Sequence, residues 1–310
     1  MSIASSPRTQ APDAPPTSKV AVIRRRREDR RVWLYVLPVS AVFLFVFIGP
    51  LFYTAWTALH ETKYYQIGEF SGLNSFVELL SDPNLPSSIR TTLVFSLGAL
   101  IIALPAGLLS AIVLNSLHRF KRSVRSLFLL PWLLSQAIAG TIWLWFLNPN
   151  FGPATAITKS LGFGPTDVFS SPTTALLAVT LITAWWSCPQ AMLLLLGALQ
   201  TIPVELRESL KVDGGGLWQD FVNITLPYLR NTIVSVVVVL LMLYVQTVTI
   251  ILVTTRGGPL RATETLSMRV FNQTFNDFNL SGASATAILL FTVNIVLTLA
   301  AIRFRRKESL

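Results

Sequence analysis

Six long windows without a single charged residue dominate this sequence. Each lacks Asp, Glu, Lys and Arg and is long enough to cross a hydrocarbon core roughly 30 Å thick. Lipid offers the backbone no hydrogen bonds, so each window is predicted to be a transmembrane helix. The predicted spans cover residues 33–59, 91–114, 126–147, 174–199, 231–254 and 282–302. We therefore predict an all-α integral membrane protein with six transmembrane helices.

The distribution of basic residues predicts how these spans are oriented. The net charge of +10 could indicate a nucleic-acid partner, but most of the 25 Lys and Arg residues fall on the side that carries the N-terminus. This is the positive-inside bias of a plasma-membrane protein. It predicts cytoplasmic N- and C-termini, membrane lipid as a partner and no nucleic acid. Only 13% of residues are charged, against about a quarter in soluble domains.

Three regions follow from this organisation. Residues 1–31 are rich in Pro, Ser and Arg and are expected to form a disordered basic cytoplasmic tail. Residues 32–305 are expected to form the six-span domain, and residues 306–310 a short cytoplasmic tail. A charged loop at residues 201–228 is predicted to lie in the cytoplasm between spans four and five.

This cytoplasmic loop has the pattern of two short amphipathic helices joined at three glycines. The first helix is predicted to begin near Pro203, with Ile202, Leu206 and Leu210 in one apolar stripe. Gly214–Gly216 would end it, one of them in the left-handed conformation. A second short helix is expected from Leu217 until Pro227 closes it. Spacing alone leaves two alternatives open: an ordinary loop on the lipid headgroups, or an elbow that docks into a partner's groove.

The same loop resembles the EAA loop of binding-protein-dependent ABC-transporter permeases. The residues at the family's spacing are Glu208, Asp213, Gly214, Phe221, Ile224, Leu226 and Pro227. Three alanines of the family pattern are replaced here, by Ser209, Leu210 and Gly215.

Three further blocks resemble the maltose-type, sugar-transporting members of that family. They are Phe70–Leu85, Arg125–Gly152 and Gly257–Ala283, so the resemblance covers roughly residues 30–305. It implies a type I ABC importer permease fold and a bacterial plasma (inner) membrane location.

The resemblance also implies partners and a role for the elbow. The chain would pair with a second homologous permease subunit, two copies of an ABC ATPase and an extracytoplasmic solute-binding protein. ATP would be bound by the ATPase partner, since this sequence has no P-loop motif of its own; the chain itself is expected to be no enzyme and to bind no cofactor or metal. The elbow would couple ATP hydrolysis to the spans, with Glu208 contacting the ATPase, Asp213 capping the second arm and Gly214 permitting the bend. The expected coupling residues are Glu208, Asp213, Gly214, Gly215, Leu217, Phe221 and Pro227.

Polar and aromatic residues within the spans are candidates for a sugar pathway. Sugar hydroxyls suit amide and hydroxyl partners, and sugar ring faces pack on aromatic rings. Tyr and Trp can equally be interfacial anchors, and Gln or Asn can bridge helices. The candidates are Gln136, Trp143, Trp186, Gln190, Tyr244, Gln246, Thr249 and Asn294.

Two other functions are open at this point. An ion-coupled secondary carrier usually keeps an ionisable group inside a span as a proton relay, and none of the six windows contains one. A polytopic scaffold or sensor would transport nothing. The resemblance favours the ATP-driven importer over both.

Overall fold

The structure is a computed structural model that describes residues 36–117, 121–162 and 167–307. The predicted tail at residues 1–31 and the last residues of the predicted tail at 306–310 lie outside these ranges. The chain divides into two compact units, Met1–Tyr53 and Thr54–Leu310, which are described separately. In the first unit, no described residue is buried, so this part of the first helix exposes its apolar side chains all round.

Helices make up most of the described chain, and two short strands were not predicted. In chain order the elements are α1 (Val36–Ala58), β1 (His60–Lys63), β2 (Gln66–Phe70), α2 (Asn74–Ser81), α3 (Leu85–Ser116), α4 (Lys121–Leu133), α5 (Gln136–Phe146), α6 (Pro153–Ser160), α7 (Pro172–Leu199), α8 (Val204–Val212), α9 (Leu217–Gln246), α10 (Thr249–Thr254), α11 (Leu266–Phe275) and α12 (Leu280–Lys307). The antiparallel strands pair His60 with Phe70 and Lys63 with Gln66.

Five of the described helices are long and apolar enough to cross a membrane. They are α1, α3, α7, α9 and α12, and α4 with α5 would supply a sixth span if the two together cross it. The prediction of apolar helical spans is thus confirmed, but two of the windows are not single helices.

The third window bends by 93° between α4 and α5. Ser135 adopts an extended backbone and its Oγ accepts a hydrogen bond from Ile138 N–H at 3.3 Å, which starts a new helix. The prediction of one continuous helix over 126–147 is therefore wrong. The fifth window is also interrupted, because Thr247 is extended and separates α9 from α10.

The core forms around α3 and α7, which run closely side by side. Ala99, Ala103, Gly107 and Ala111 recur every fourth residue along α3, and the three alanines are fully buried. A side-chain carbon placed on Gly107 would lie 2.6 Å from Cβ of Ala191 on α7. Small residues at this spacing let two helix backbones approach closely, and the rest of the second unit packs around this pair.

On the predicted outer side, side chains tie the segments from the β-hairpin to the start of α3 to helix α11 and the start of α12. Ser281 N–H donates to Thr62 Oγ1 at 2.8 Å, and the Tyr65 hydroxyl donates to the Thr274 carbonyl at 3.0 Å. Leu266 N–H donates to Thr92 Oγ1 at 2.8 Å. These bonds, together with an ion pair between Arg269 and Asp82, are called the outer tethers below.

Candidate functional site

The first arm of the elbow, which is predicted to be cytoplasmic, is helix α8. Glu205 lies in its first turn and Lys211 in its last, which complements the helix dipole. Ile202 is buried and Leu210 packs against the core, whereas Leu206 is exposed, so the predicted single apolar stripe is only partly buried. The side chains of Arg207 on α8 and Asp220 on the second arm lie 3.6 Å apart and link the two arms.

The glycine turn has two residues whose conformation or surroundings favour glycine. Gly214 has a φ of +76°, which confirms the predicted left-handed residue. Gly215 lies against the end of the first arm, where an added Cβ would come within 2.5 Å of Leu210 Cγ and 2.9 Å of its carbonyl oxygen. The turn therefore closes only because Gly215 leaves room for Leu210.

Asp213 does not cap the second arm, and that expectation is wrong. It lies at the C-terminal end of α8, where its N–H donates to the Ser209 carbonyl at 3.0 Å. The second arm begins three residues after Gly214, and Gln219 Oε1 accepts a hydrogen bond from Gly216 N–H at 2.7 Å. Gln219, the third residue of this helix, thus caps the second arm in place of Asp213.

The second arm is continuous with the fifth span, so Pro227 does not close it. Residues Phe221–Thr225 form a widened π turn, in which Leu226 N–H donates to the Phe221 carbonyl five residues earlier. A π turn next to Pro227 lets the helix continue past a residue that has no N–H to donate. The second arm is therefore the first part of α9, so a displacement of this arm would be carried into the rest of the helix.

The solvent-facing surface of the elbow exposes large apolar side chains. Leu217 is 93% exposed, Val212 87% and Trp218 74%, and the rings of Trp218 and Phe221 lie 5.8 Å apart. Glu208 and Asp213 are exposed on the same loop. Exposed clusters of this kind mark surfaces that contact another molecule.

Two of the pathway candidates are buried structural residues. Tyr244 is fully buried and its hydroxyl shares a 2.7 Å hydrogen bond with Ser187 Oγ. Trp186 donates from Nε1 to the Leu134 carbonyl at 2.9 Å. That carbonyl lies at the bend between α4 and α5, where no helix partner follows, so Trp186 stabilises the bend.

We expect Trp186→Phe to loosen this bend. It removes the donor to the Leu134 carbonyl and leaves a half-buried acceptor unpaired, which costs at most about 1–3 kcal/mol, the range for a buried one. The thermal midpoint of the purified chain in detergent measures the effect. Trp145→Phe is the matched control, because Trp145 is 54% exposed; equal midpoints for the two variants would contradict the role of Trp186.

The other candidates lie in different surroundings. Gln246 and Asn294 are brought together, with Gln246 Nε2 donating to Asn294 Oδ1 at 3.3 Å, and Gln246 lines a cavity of about 320 Å³ beside α11. Trp143 packs edge-on against Trp185 and lines an apolar cavity of about 730 Å³. Three further candidates are half-buried: Gln136, Gln190 and Thr249. Among the candidates, Gln246 and Asn294 are the two that hydrogen-bond to each other in the described part of the chain.

The contact between Leu210 and Gly215 was missed from the sequence. The signal was present, since both positions depart from the alanines of the EAA pattern. Leu210 and Gly215 lie on either side of one turn, and each replaces an alanine of the EAA pattern. The larger side chain at residue 210 is therefore compensated by the absence of a side chain at residue 215.

Comparison with known proteins gives one family and several relatives. Residues 103–308 match the family model of the binding-protein-dependent transport system inner membrane component. The chain is 30% identical to the trehalose/maltose transport system permease protein MalF of Thermococcus litoralis, over 90% of this chain and 96% of that one. It is also 30% identical to the sn-glycerol-3-phosphate transport system permease protein UgpA of Yersinia pestis, over 89% and 94%. The sulfoquinovosyl glycerol transport system permease protein SmoG of Agrobacterium fabrum is 30% identical, over 91% and 92%.

Solved structures share the fold. A chain of a bacterial ABC transporter involved in the import of the acidic polysaccharide alginate superposes with a TM-score of 0.81 at 21% identity, covering 93% of this chain and 99% of that one. A second structure of the alginate transporter, in complex with an alginate pentasaccharide-bound periplasmic protein, gives 0.80 at 22% identity, covering 92% and 97%.

Proposed function

Because the chain belongs to the family of binding-protein-dependent transport system inner membrane components, we propose a function at the level of the assembled importer. The chain is a permease subunit of an ATP-driven ABC importer for a sugar or sugar derivative. With a second permease it forms the translocation pathway for a solute delivered by a solute-binding protein. The membrane is proposed to be a bacterial inner membrane.

The observation that carries this proposal is the elbow. The elbow presents Leu217 and Trp218 to solvent. Its second arm continues through a π turn into the rest of α9, a transmembrane helix. A partner that binds these side chains would move α9 with them. We assign that partner as the ATPase, present in two copies, one for each permease. Glu208 would be a polar contact at the edge of this docking surface.

A second permease is expected to complete the pathway. Gln246 is exposed and pairs with Asn294, and a cavity of about 320 Å³ opens beside them. A single chain offers this polar pair on a surface, whereas two chains facing each other would enclose it. The names of the relatives include both neutral and anionic solutes. Membership of the family therefore does not determine the charge of the solute.

The energy source decides between the importer and an ion-coupled carrier. We expect radiolabelled sugar uptake by cells carrying this chain to stop when ATP is depleted with arsenate. Collapse of ion gradients by an ionophore, with ATP maintained, should leave it largely intact. The opposite pattern would establish the carrier and refute the importer.

Leu217→Asp is expected to uncouple the permease from its ATPase. The side chain is almost fully exposed and lies in the first turn of α9, where a carboxylate is compatible with the helix dipole, so folding should be preserved. A charge in an apolar groove should reduce the ATPase that co-purifies with this chain by roughly tenfold or more, as for other interface hot spots.

The matched control is Leu260→Asp. Leu260 is 91% exposed but lies in the loop before α11, on the predicted outer side. Co-purification that is reduced equally by both variants, or by neither, would contradict the proposed docking surface.

A further inference from the structure

A polar pocket lies on the predicted outer side, where α11 meets the segment between α2 and α3. Its volume is about 520 Å³, within the roughly 300–1,000 Å³ of ligand sites. Every residue that lines it is charged or carries a side-chain amide: Asp82, Arg256, Arg261, Glu264, Arg269, Asn272, Gln273, Asn276, Asp277 and Asn279. This is called the outer polar pocket.

Arg269 is buried in the wall of this pocket with unused hydrogen-bond donors. It is 4% exposed, and its Nη2 pairs with Asp82. Its Nε and Nη1 are also buried, and neither has a hydrogen-bond partner among the described residues. Buried charged donors without partners are costly, so their presence in a cavity wall indicates that something else accepts from them.

Two of the three carboxylates of the pocket, those of Glu264 and Asp82, are already engaged. Both carboxylate oxygens of Glu264 accept from Arg261, at 2.8 and 2.6 Å, and this hydrogen bonding raises the pKa of Arg261. Burial pushes the pKa of Asp82 upward, but hydrogen bonds from Asn84 and Arg269 hold it below its usual value. Both shifts favour the charged form of the group, the guanidinium of Arg261 and the carboxylate of Asp82.

The amides follow the same pattern. Asn272 Oδ1 accepts from Asn276 at 2.9 Å, and Gln273 Oε1 accepts from Thr286 at 2.8 Å. Neither the Asn272 nor the Gln273 amide nitrogen donates to another described residue in the structure. The pocket therefore offers free N–H donors and needs a ligand that is rich in oxygen acceptors.

The charge of the pocket further limits the range of ligands that it can bind. Three arginines line it together with three carboxylates, so its formal charge is balanced. A balanced pocket gives little net attraction to an anion, while many donors suit a neutral molecule that has several hydroxyl groups. We propose that the outer polar pocket binds a neutral saccharide through its hydroxyl and ring oxygens. This inference rests on the proposed function and adds to it an outer subsite of the solute pathway.

The position of the pocket fits this role. Helix α11 separates two cavities, with Arg269 and Asn272 facing the outer polar pocket and Ser267 and Thr274 facing the cavity of Gln246. A saccharide in the outer polar pocket would therefore be one helix width from the polar pair of Gln246 and Asn294.

The test is a binding measurement on the importer purified with its co-purifying subunits, in lipid nanodiscs and without the solute-binding protein. Saturation-transfer NMR compares maltose, trehalose and glucuronate as probes. Asn272→Leu removes a free donor and fills space, and the paired variant Asp82→Asn with Arg269→Gln removes the guanidinium while keeping the pair neutral. Asn150→Leu is the control, because it repeats the Asn→Leu change at an exposed residue on the predicted outer side that lines neither the outer polar pocket nor the cavity of Gln246.

We expect at least one neutral disaccharide to bind in preference to glucuronate. Both pocket variants should weaken that binding about tenfold, whereas Asn150→Leu should not change it. Undetectable disaccharide binding, a preference for glucuronate, or unchanged affinity in both pocket variants would overturn the inference. Arsenate-sensitive uptake in parallel would then leave the proposed function standing, whereas gradient-driven uptake would refute the proposed function itself.

Discussion

Gly215→Ala is expected to reduce ATP-driven uptake by roughly tenfold or more, and a second substitution, Leu210→Ala, to restore most of it. The added Cβ would lie 2.5 Å from Leu210 Cγ and 2.9 Å from the Leu210 carbonyl oxygen, so the turn must open. Overpacking of this kind costs about 1–3 kcal/mol, and each 1.4 kcal/mol corresponds to about a tenfold loss of the observed elbow geometry. Shortening Leu210 removes the side-chain part of the clash.

The measurement is uptake per amount of chain inserted in the membrane, for both single variants and the double variant. Gly216→Ala is the control, because a Cβ there meets nothing within 4 Å and its φ is −89°. Full activity of Gly215→Ala would show that the elbow tolerates a wider turn, and a double variant no better than a defective Gly215→Ala would show that the Leu210 side chain is not the cause of the loss. Rescue would instead establish that Leu210 and Gly215 replace two of the three alanines of the EAA pattern as a matched pair.

Gly107→Leu is expected to prevent the chain from accumulating as a folded protein. A Cβ at Gly107 would lie 2.6 Å from Ala191 Cβ and 3.0 Å from the backbone nitrogen of Met192, so the clash is with backbone and with a short side chain. Neither can rotate away, and α3 and α7 would have to separate along the whole core. The expected cost is at the upper end of the roughly 1–3 kcal/mol for overpacking.

Gly197→Leu provides the comparison within the same helix pair. Gly197 lies on α7, is exposed, and has nothing within 4 Å of an added Cβ. The amount of folded chain recovered in detergent and its thermal midpoint distinguish the two variants. A midpoint for Gly107→Leu within about 2 °C of that of Gly197→Leu would mean that α3 and α7 are not in close contact in the membrane.

The spans were predictable to the extent that charge and length define them. Charge-free windows place α3 and α7 to within a few residues, because lipid tolerates neither charges nor unpaired backbone. The same rule cannot detect the bend between α4 and α5. That bend depends on Trp186, some fifty residues further along the chain, which satisfies the Leu134 carbonyl, and no local pattern contains that contact.

The candidate site was predictable at its turn but not at its ends. Gly214 follows from backbone sterics, since a helix that ends in a left-handed residue favours glycine. Asp213 was assigned as a cap because short acidic residues often fill that role, yet it is Gln219 Oε1 that accepts the hydrogen bond from Gly216 N–H. The β-hairpin was missed because its turn holds Tyr64 and Tyr65 at φ values of 46° and 68°, where Asn and Gly are the usual residues.

The outer tethers have a consequence for how the protein is made. Asp82 emerges from the ribosome 187 residues before Arg269, a delay of roughly 10–40 s at about 5–20 residues/s. During that interval, the early segments of the predicted outer side lack their partners. The tethers can therefore form only once α11 and the start of α12 have been synthesised, so closure of the predicted outer side comes late in membrane insertion, and a chain terminated before α11 cannot reach it.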